Sequence, residues 1–189
     1  MTRVTPELPF VGLHAHDCFS LFDGFGKTID HMEFAWDNGL PAHTISNHGH
    51  MNSLPLQVAA AKELAKRDKP IKPIYAVEGY FIPSMQDWRK KKQGAKEDKK
   101  DDTVDDSTQA GSWKMGSLRE RSHLLLIAQN QTGLSNLFQL VTKSHQGDNF
   151  YFYPRVDLEM LDEHSEGVIC TSACLGGPLA KQFWKPRRS

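Results

Sequence analysis

A chain of 189 residues is long enough for one domain with a hydrophobic core, but it is short for a complete α/β barrel. Its 23 basic and 23 acidic side chains balance, so any contact with a nucleic acid must be local, at a metal or a small basic cluster. Three cysteines are too few for a disulfide framework, and no segment is typical of a signal peptide or a membrane span. We therefore expect a cytoplasmic protein without membrane contact.

Two predicted strands near the start of the chain each end at a pair of histidines. The first runs from Phe10 to His14 and leads into His16, and the second covers residues 41–46 and leads into His48-Gly49-His50. Because side chains alternate along an extended backbone, His14 and His16 project from one face and can hold one ion. Asp23, after a short turn, could add a carboxylate oxygen.

Two helices and a third strand follow these histidine pairs in the predicted order. One helix is capped by Thr28, the other by Asn52 or Ser53, and the third strand, at 74–82, carries Glu78. Such alternation predicts a mainly parallel α/β sheet or barrel. In these folds functional groups collect where strands end, so the histidines of the first two strands are expected to converge.

The regular pattern stops in a charged segment. Residues 89–106 contain seven basic and six acidic side chains, with Val104 as the one aliphatic side chain larger than alanine. Such a segment buries too little apolar surface to offset its ordering entropy. We therefore predict a flexible surface insertion at about 85–118, within a single domain that covers residues 1–189.

Regular elements are predicted to resume after the insertion, with strands at 123–128 and 168–172 and helices at 132–144 and 158–164. His123 opens its strand, so it can approach the other histidines only if that strand is antiparallel to the strand of Glu78. Cys18 and Cys170 are interpreted as core residues, and Cys174 taken alone would be one as well.

Several segments resemble the PHP (polymerase and histidinol phosphatase) family. They include Leu13-His14-Ala15-His16 with Asp23-Gly24, then Asn47-His48-Gly49 and Val77-Glu78-Gly79-Tyr80. Segments at 122–128, 152–157, 163–167 and 171–177 are similar to the PHP domain of bacterial DNA polymerase III alpha subunits. The resemblance implies an α/β fold, a PHP-type distorted (β/α) barrel. It also implies a barrel that is incomplete at its C-terminal end, because the family's late Asp-x-His motif has no counterpart here.

The resemblance also implies a set of metal ligands, with Glu78 bridging two ions. Carried over by position, the ligands are His14, His16, Asp23, His48, Glu78, His123 and Cys174. Imidazole, carboxylate and thiolate together suit two or three divalent ions of zinc, manganese or iron better than calcium. Asn47 stands where the family usually has aspartate, so a carboxylate that orients the neighbouring histidine is expected to be missing. His50 is either an extra ligand or a residue without a role.

Three functions are compatible with this resemblance. The first is metal-dependent phosphoester hydrolysis, in the form of 3′–5′ exonuclease proofreading at a DNA 3′ end. The second is a catalytically inactive structural or interaction module of a replicative polymerase, with the remaining polymerase III subunits or a separate polymerase chain as partners. The third is a small-molecule phosphatase, which the segments at 152–157 and 163–177 argue against because they resemble the polymerase branch.

Overall fold

The computed structural model describes residues 10–97 and 118–184, where six strands form one mixed sheet with helices packed against it. The helices are α1 (Thr28–Asp37), α2 (Leu54–Lys66), α3 (Met85–Glu97), α4 (Gln131–Ser144), α5 (Leu158–Glu163) and α6 (Pro178–Trp184). The strands are β1 (Ala42–Ile45), β2 (Lys72–Phe81), β3 (Ser122–Ala128), β4 (Phe150–Tyr151), β5 (Tyr153–Val156) and β6 (Val168–Thr171). Within these ranges no helix has both the length and the apolar character needed to cross a bilayer.

Strand β2 is central because it pairs along both of its edges. Antiparallel β3 covers one edge, and the other edge carries parallel β1, then an isolated bridge at His48, then parallel β5. Strand β6 extends the sheet antiparallel to β3, and β4 extends it antiparallel to β5. The expected α/β fold is confirmed, but the expectation of a mainly parallel sheet is wrong. The alternation of side chains is the same in parallel and antiparallel strands, so an apolar pattern does not determine the direction of a strand.

Two groups of buried side chains hold the helices in place. Helix α4 packs on the sheet through Leu137 and Leu140, which contact Val77 and Leu126. Burying a leucine such as Leu137 stabilises the fold by about 2 kcal/mol. The second group lies between α1 and α2 and consists of Met32, Ala35, Ala60, Leu64 and Ile71. The apolar periodicity of α1, α2 and α4 therefore agrees with the burial of these side chains.

The segment before α1 differs from its predicted structure. Residues 10–17 belong to no strand or helix. This segment is held to the end of β1 by Ser46 instead of by strand pairing. The Ser46 backbone N–H donates to Ala15 O (2.7 Å), and the Ser46 side chain contacts the Ala15 backbone as well. The predicted cap is also wrong: Lys27 is the N-cap of α1, and Thr28 Oγ1 donates instead to Asp17 Oδ2 at 2.6 Å.

The first residues of the predicted flexible insertion at 85–118 form α3. Met85 and Trp88 are buried and pack with Ile82. The Met85 N–H donates to Asp157 Oδ2 (2.8 Å), and Trp88 Nε1 donates to Leu118 O (2.9 Å). The count of charged side chains did not predict this helix, because two apolar side chains are enough to pack its first turn on the protein. The remainder of the predicted insertion, 98–117, lies outside the described residues.

Candidate metal centre

A fully buried carboxylate, Glu78 on β2, occupies the centre of the candidate site. Its Oε1 lies 3.2 Å from His14 Nε2 and 2.9 Å from His123 Nδ1. Its Oε2 lies 3.1 Å from His16 Nε2 and 2.7 Å from His48 Nδ1. Burial alone would raise the pKa of Glu78, but hydrogen bonds from the four imidazoles outweigh burial and hold the pKa far below its usual value. Glu78 is therefore an anion surrounded by nitrogen donors.

Sheet pairing explains why histidines from distant positions meet here. His48 forms a parallel bridge with Glu78, and the Gly49 N–H donates to Glu78 O at 2.7 Å. Gly49 has φ +68°, and a Cβ there would lie 2.6 Å from Pro154 Cγ, so this turn requires glycine. Antiparallel β3 places His123 opposite Tyr80, on the same face of the sheet as Glu78. The antiparallel pairing that His123 needs to reach the site is thus present.

The other two predicted ligands lie at the edges of this cluster. Asp23, 59 % exposed, places Oδ2 2.7 Å from His48 Nε2. Cys174 Sγ lies 3.6 Å from Glu78 Oε1 and 3.9 Å from His123 Nδ1. Burial, together with the nearby carboxylate, raises the pKa of the Cys174 thiol, and a bound cation would favour its thiolate. All seven predicted residues therefore lie in one connected cluster.

The donor atoms of this cluster fit divalent ions. Ligand atoms within 4.8 Å of one another fall into three groups: His14, His16 and Glu78; His16, Asp23 and His48; and His48, Glu78 and His123. His14 Nε2 and His16 Nε2 are only 3.1 Å apart. Ligands bound to a tetrahedral zinc ion lie about 3.3–3.5 Å apart, close to these separations. Because Glu78 belongs to two groups, it has the position that a bridging carboxylate needs.

A buried hydrogen-bond network lies beneath the histidines and contains Asp17, which the sequence reasoning missed. The Asp17 side chain is fully buried and accepts hydrogen bonds from Asn47 Nδ2 (2.8 Å) and Ser53 Oγ (2.6 Å). Burial raises the pKa of Asp17, but these and further hydrogen bonds outweigh it and lower the pKa. Asn47 was expected to leave this part of the site without a carboxylate, but Asp17 supplies one. Its position directly after His16 was the available signal.

Other predicted residues lie away from the cluster. His50 Nε2 donates to Phe19 O (3.2 Å), so within the described residues the second histidine pair contributes only His48 to the groups that could hold a metal. Cys18 and Cys170, which were expected in the core, are exposed. Their small apolar side chains favour burial only weakly, so neighbouring elements decide their exposure.

Three comparisons relate the chain to known proteins. The family described as PHP domain matches residues 12–187. The DNA polymerase III subunit alpha of Aquifex aeolicus is 33 % identical over 168 residues, which cover 89 % of this chain and 12 % of that protein. The same subunit of Borreliella burgdorferi is 32 % identical over 91 % of this chain and 12 % of its own length. A solved protein from Bifidobacterium adolescentis has a TM-score of 0.42 at 13 % identity, over 75 % of this chain and 34 % of its own. The chain thus spans about an eighth of the length of these curated relatives.

Proposed function

The chain belongs to the PHP domain family, and on that premise we propose that it is the PHP domain of a DNA polymerase III alpha-like replication protein. We propose further that it is a metal-dependent phosphoesterase that removes nucleotides from DNA 3′ ends. The observation that carries this proposal is the fully buried Glu78, with four imidazole nitrogens 2.7–3.2 Å from its oxygens. Proposed partners are the DNA 3′ end and either the remaining polymerase III subunits or a separate polymerase chain.

Seven side chains would hold two or three ions of zinc, manganese or iron: His14, His16, Asp23, His48, Glu78, His123 and Cys174. Divalent ions bound there would supply Lewis-acid stabilisation of a phosphate ester and a water of lowered pKa. Glu78 would link two ion positions, because each of its oxygens contacts two imidazoles. Asp23 is half exposed and lies beside His48, so it would face the arriving substrate.

The direct test is nucleotide release from a 5′-labelled single-stranded DNA oligonucleotide with manganese or zinc. We expect stepwise shortening from the 3′ end on a denaturing gel. The substitution His14→Ala should slow it by at least about 100-fold, because even groups that only orient metal ligands contribute 10–100-fold. His145→Ala is the matched control, since His145 is exposed at the end of α4 and its Nδ1 contacts the Val141 carbonyl.

Two other outcomes would contradict the nuclease proposal. No nucleotide release, together with protein that purifies without stoichiometric metal, would instead support the structural module of a replicative polymerase. Hydrolysis of a small phosphate monoester without any shortening of DNA would support the small-molecule phosphatase.

Cys174 is the proposed ligand with the longest contacts in the cluster, so it has its own test. We expect the cobalt-substituted protein to show thiolate-to-metal charge-transfer absorption that Cys174→Ala abolishes. Cys170→Ala is the control because Cys170 is exposed on β6, with its Sγ near the Thr171 carbonyl. Absorption that survives in Cys174→Ala would remove the thiol from the ligand set.

A further inference from the structure

Asp17 is a buried carboxylate that the proposed mechanism does not use. A carboxylate out of contact with water needs hydrogen-bond donors on both oxygens. Phe19 N (3.1 Å) and Asn47 Nδ2 (2.8 Å) donate to Oδ1. Thr28 Oγ1 and Ser53 Oγ donate to Oδ2, both at 2.6 Å. Because an ionised carboxylate can only accept, the direction of each of these hydrogen bonds is determined.

These directions determine how the Asn47 amide is oriented. The single hydroxyl proton of Ser53 goes to Asp17, so the Ser53 oxygen must accept from Asn47 Nδ2, at 2.7 Å. The Asn47 amide therefore uses both N–H groups on Asp17 and Ser53, and its Oδ1 points the other way. There Oδ1 accepts from Ser20 Oγ at 2.7 Å. The amide orientation thus follows from the complete network of partners.

The same reasoning extends from Ser20 to His16. Ser20 gives its one hydroxyl proton to Asn47, so its oxygen can only accept from its other neighbours. One of these is His16 Nδ1, at 2.9 Å, which must therefore carry a proton. Because Nδ1 keeps its proton, Nε2 is the nitrogen that His16 presents to the cluster, 3.1 Å from Glu78 Oε2 and 3.1 Å from His14 Nε2.

We infer that Asp17 is a positioning residue: through Asn47 and Ser20 it selects the tautomer of His16 that presents Nε2 to the metal centre. The metal-binding consequence rests on the proposed function, whereas the tautomer does not. The partner of one ring nitrogen selects which nitrogen is free to bind a metal, and removal of such a partner weakens metal binding about 10–100-fold.

The network also explains why position 47 carries an amide. An aspartate at 47 beside an intact Asp17 would place two buried carboxylates in hydrogen-bond contact. At such a separation one of the two carboxylates must take up a proton. Exchanging the two residue types would not restore the network, because the atom of residue 17 that accepts from the Phe19 N–H would then face a carboxylate oxygen of residue 47.

The test compares wild type with Asp17→Asn and with Ser20→Ala, which interrupts the relay without touching Asp17. The readout is the protonation of the His16 ring nitrogens by ¹⁵N NMR in metal-free protein, with zinc affinity measured by chelator competition. We expect the wild type to carry the proton on Nδ1. The two single variants should lose that preference and bind zinc about 10–100-fold more weakly.

The inference is overturned if His16 keeps its proton on Nδ1 in both single variants, even where zinc affinity falls, because the role of Asp17 would then be structural. It is also overturned if Ser20→Ala, folded by circular dichroism, binds zinc as tightly as the wild type. A change of tautomer in protein that hydrolyses no DNA would support the inference and contradict the proposed nuclease.

Discussion

Replacing Glu78 by glutamine is expected to empty the metal centre and to abolish hydrolysis. Glutamine keeps the shape of the side chain, but its amide offers one acceptor atom where Glu78 offers two, and each Glu78 oxygen contacts two imidazoles. The buried negative charge that would balance the cations is also lost. We expect metal affinity to fall by at least 100-fold, which corresponds to about 2.7 kcal/mol. Metal content per chain after dialysis, and the rise in Tm on adding zinc, measure this effect.

Glu63→Gln is the matched control for this substitution. Glu63 lies on α2 at 44 % exposure and accepts from Arg67 within the same helix, so its loss should leave metal content and activity unchanged. If Glu78→Gln retains the metal content of the wild type, the cluster is not a metal centre built on this carboxylate. The distances around Glu78 would then describe an ion network of histidines and one glutamate.

Replacing Arg155 by methionine is expected to cause the largest loss of stability. Arg155 is fully buried on β5 and donates to the carbonyls of Tyr151, Tyr153 and Leu118 at 2.6, 3.1 and 2.9 Å. Its guanidinium also lies 4.7 Å from the Trp88 ring centroid. Burial lowers the pKa of Arg155 to about 10, which leaves it protonated at neutral pH.

Losing these three hydrogen bonds from a charged group costs about 3–5 kcal/mol in total, although the Leu118 carbonyl keeps Trp88 Nε1 as a donor. For a chain of this size that corresponds to a fall in Tm of about 10 °C, measured by calorimetry. Arg67→Met is the control, because Arg67 is 48 % exposed and should change stability by less than about 0.5 kcal/mol. Equal Tm values for the two variants would contradict a structural role for Arg155.

The position of Arg155 gives a physical meaning to one of the segments on which the resemblance was based. Residues 152–157 supply none of the seven candidate ligands, and two of their side chains contact α3 and Leu118. Arg155 holds the Leu118 carbonyl, and Asp157 holds the first turn of α3 through the Met85 N–H. This segment therefore holds Met85 and Leu118, which lie on either side of the charged segment, against the sheet. Its role is in packing.

Much of the fold could be predicted from the sequence because apolar periodicity reports burial. Strand β2, helix α4 and strand β6 begin and end within about two residues of their predicted bounds, as is usual for strongly periodic segments. The direction of β3 and the first turn of α3 were not predictable in this way. Both depend on contacts between distant segments, such as Met85 with Asp157.

The candidate site was predicted in part for the same reason. His14, His16, Asp23 and His48 were visible in the residue pattern, and the family resemblance added the roles of Glu78, His123 and Cys174 as ligands. Asp17 was not found, because its importance lies in partners such as Asn47 and Ser53, which are far along the chain. A local pattern cannot show that a carboxylate is buried, or which amide orientation its partners require.

The antiparallel pairing of β3 with β2 also affects the order in which the chain can fold. Five of the seven candidate ligands, from His14 to Glu78, precede the charged segment, and His123 and Cys174 follow it. The cluster is therefore complete only after parts of the chain far apart in sequence have come together, and such non-local contacts form late because closure costs entropy before they stabilise the chain. An ion held from both sides would cross-link the two parts of the chain in the native state, much as a disulfide does. The last region of the protein to become ordered is then the one in which its chemistry would take place.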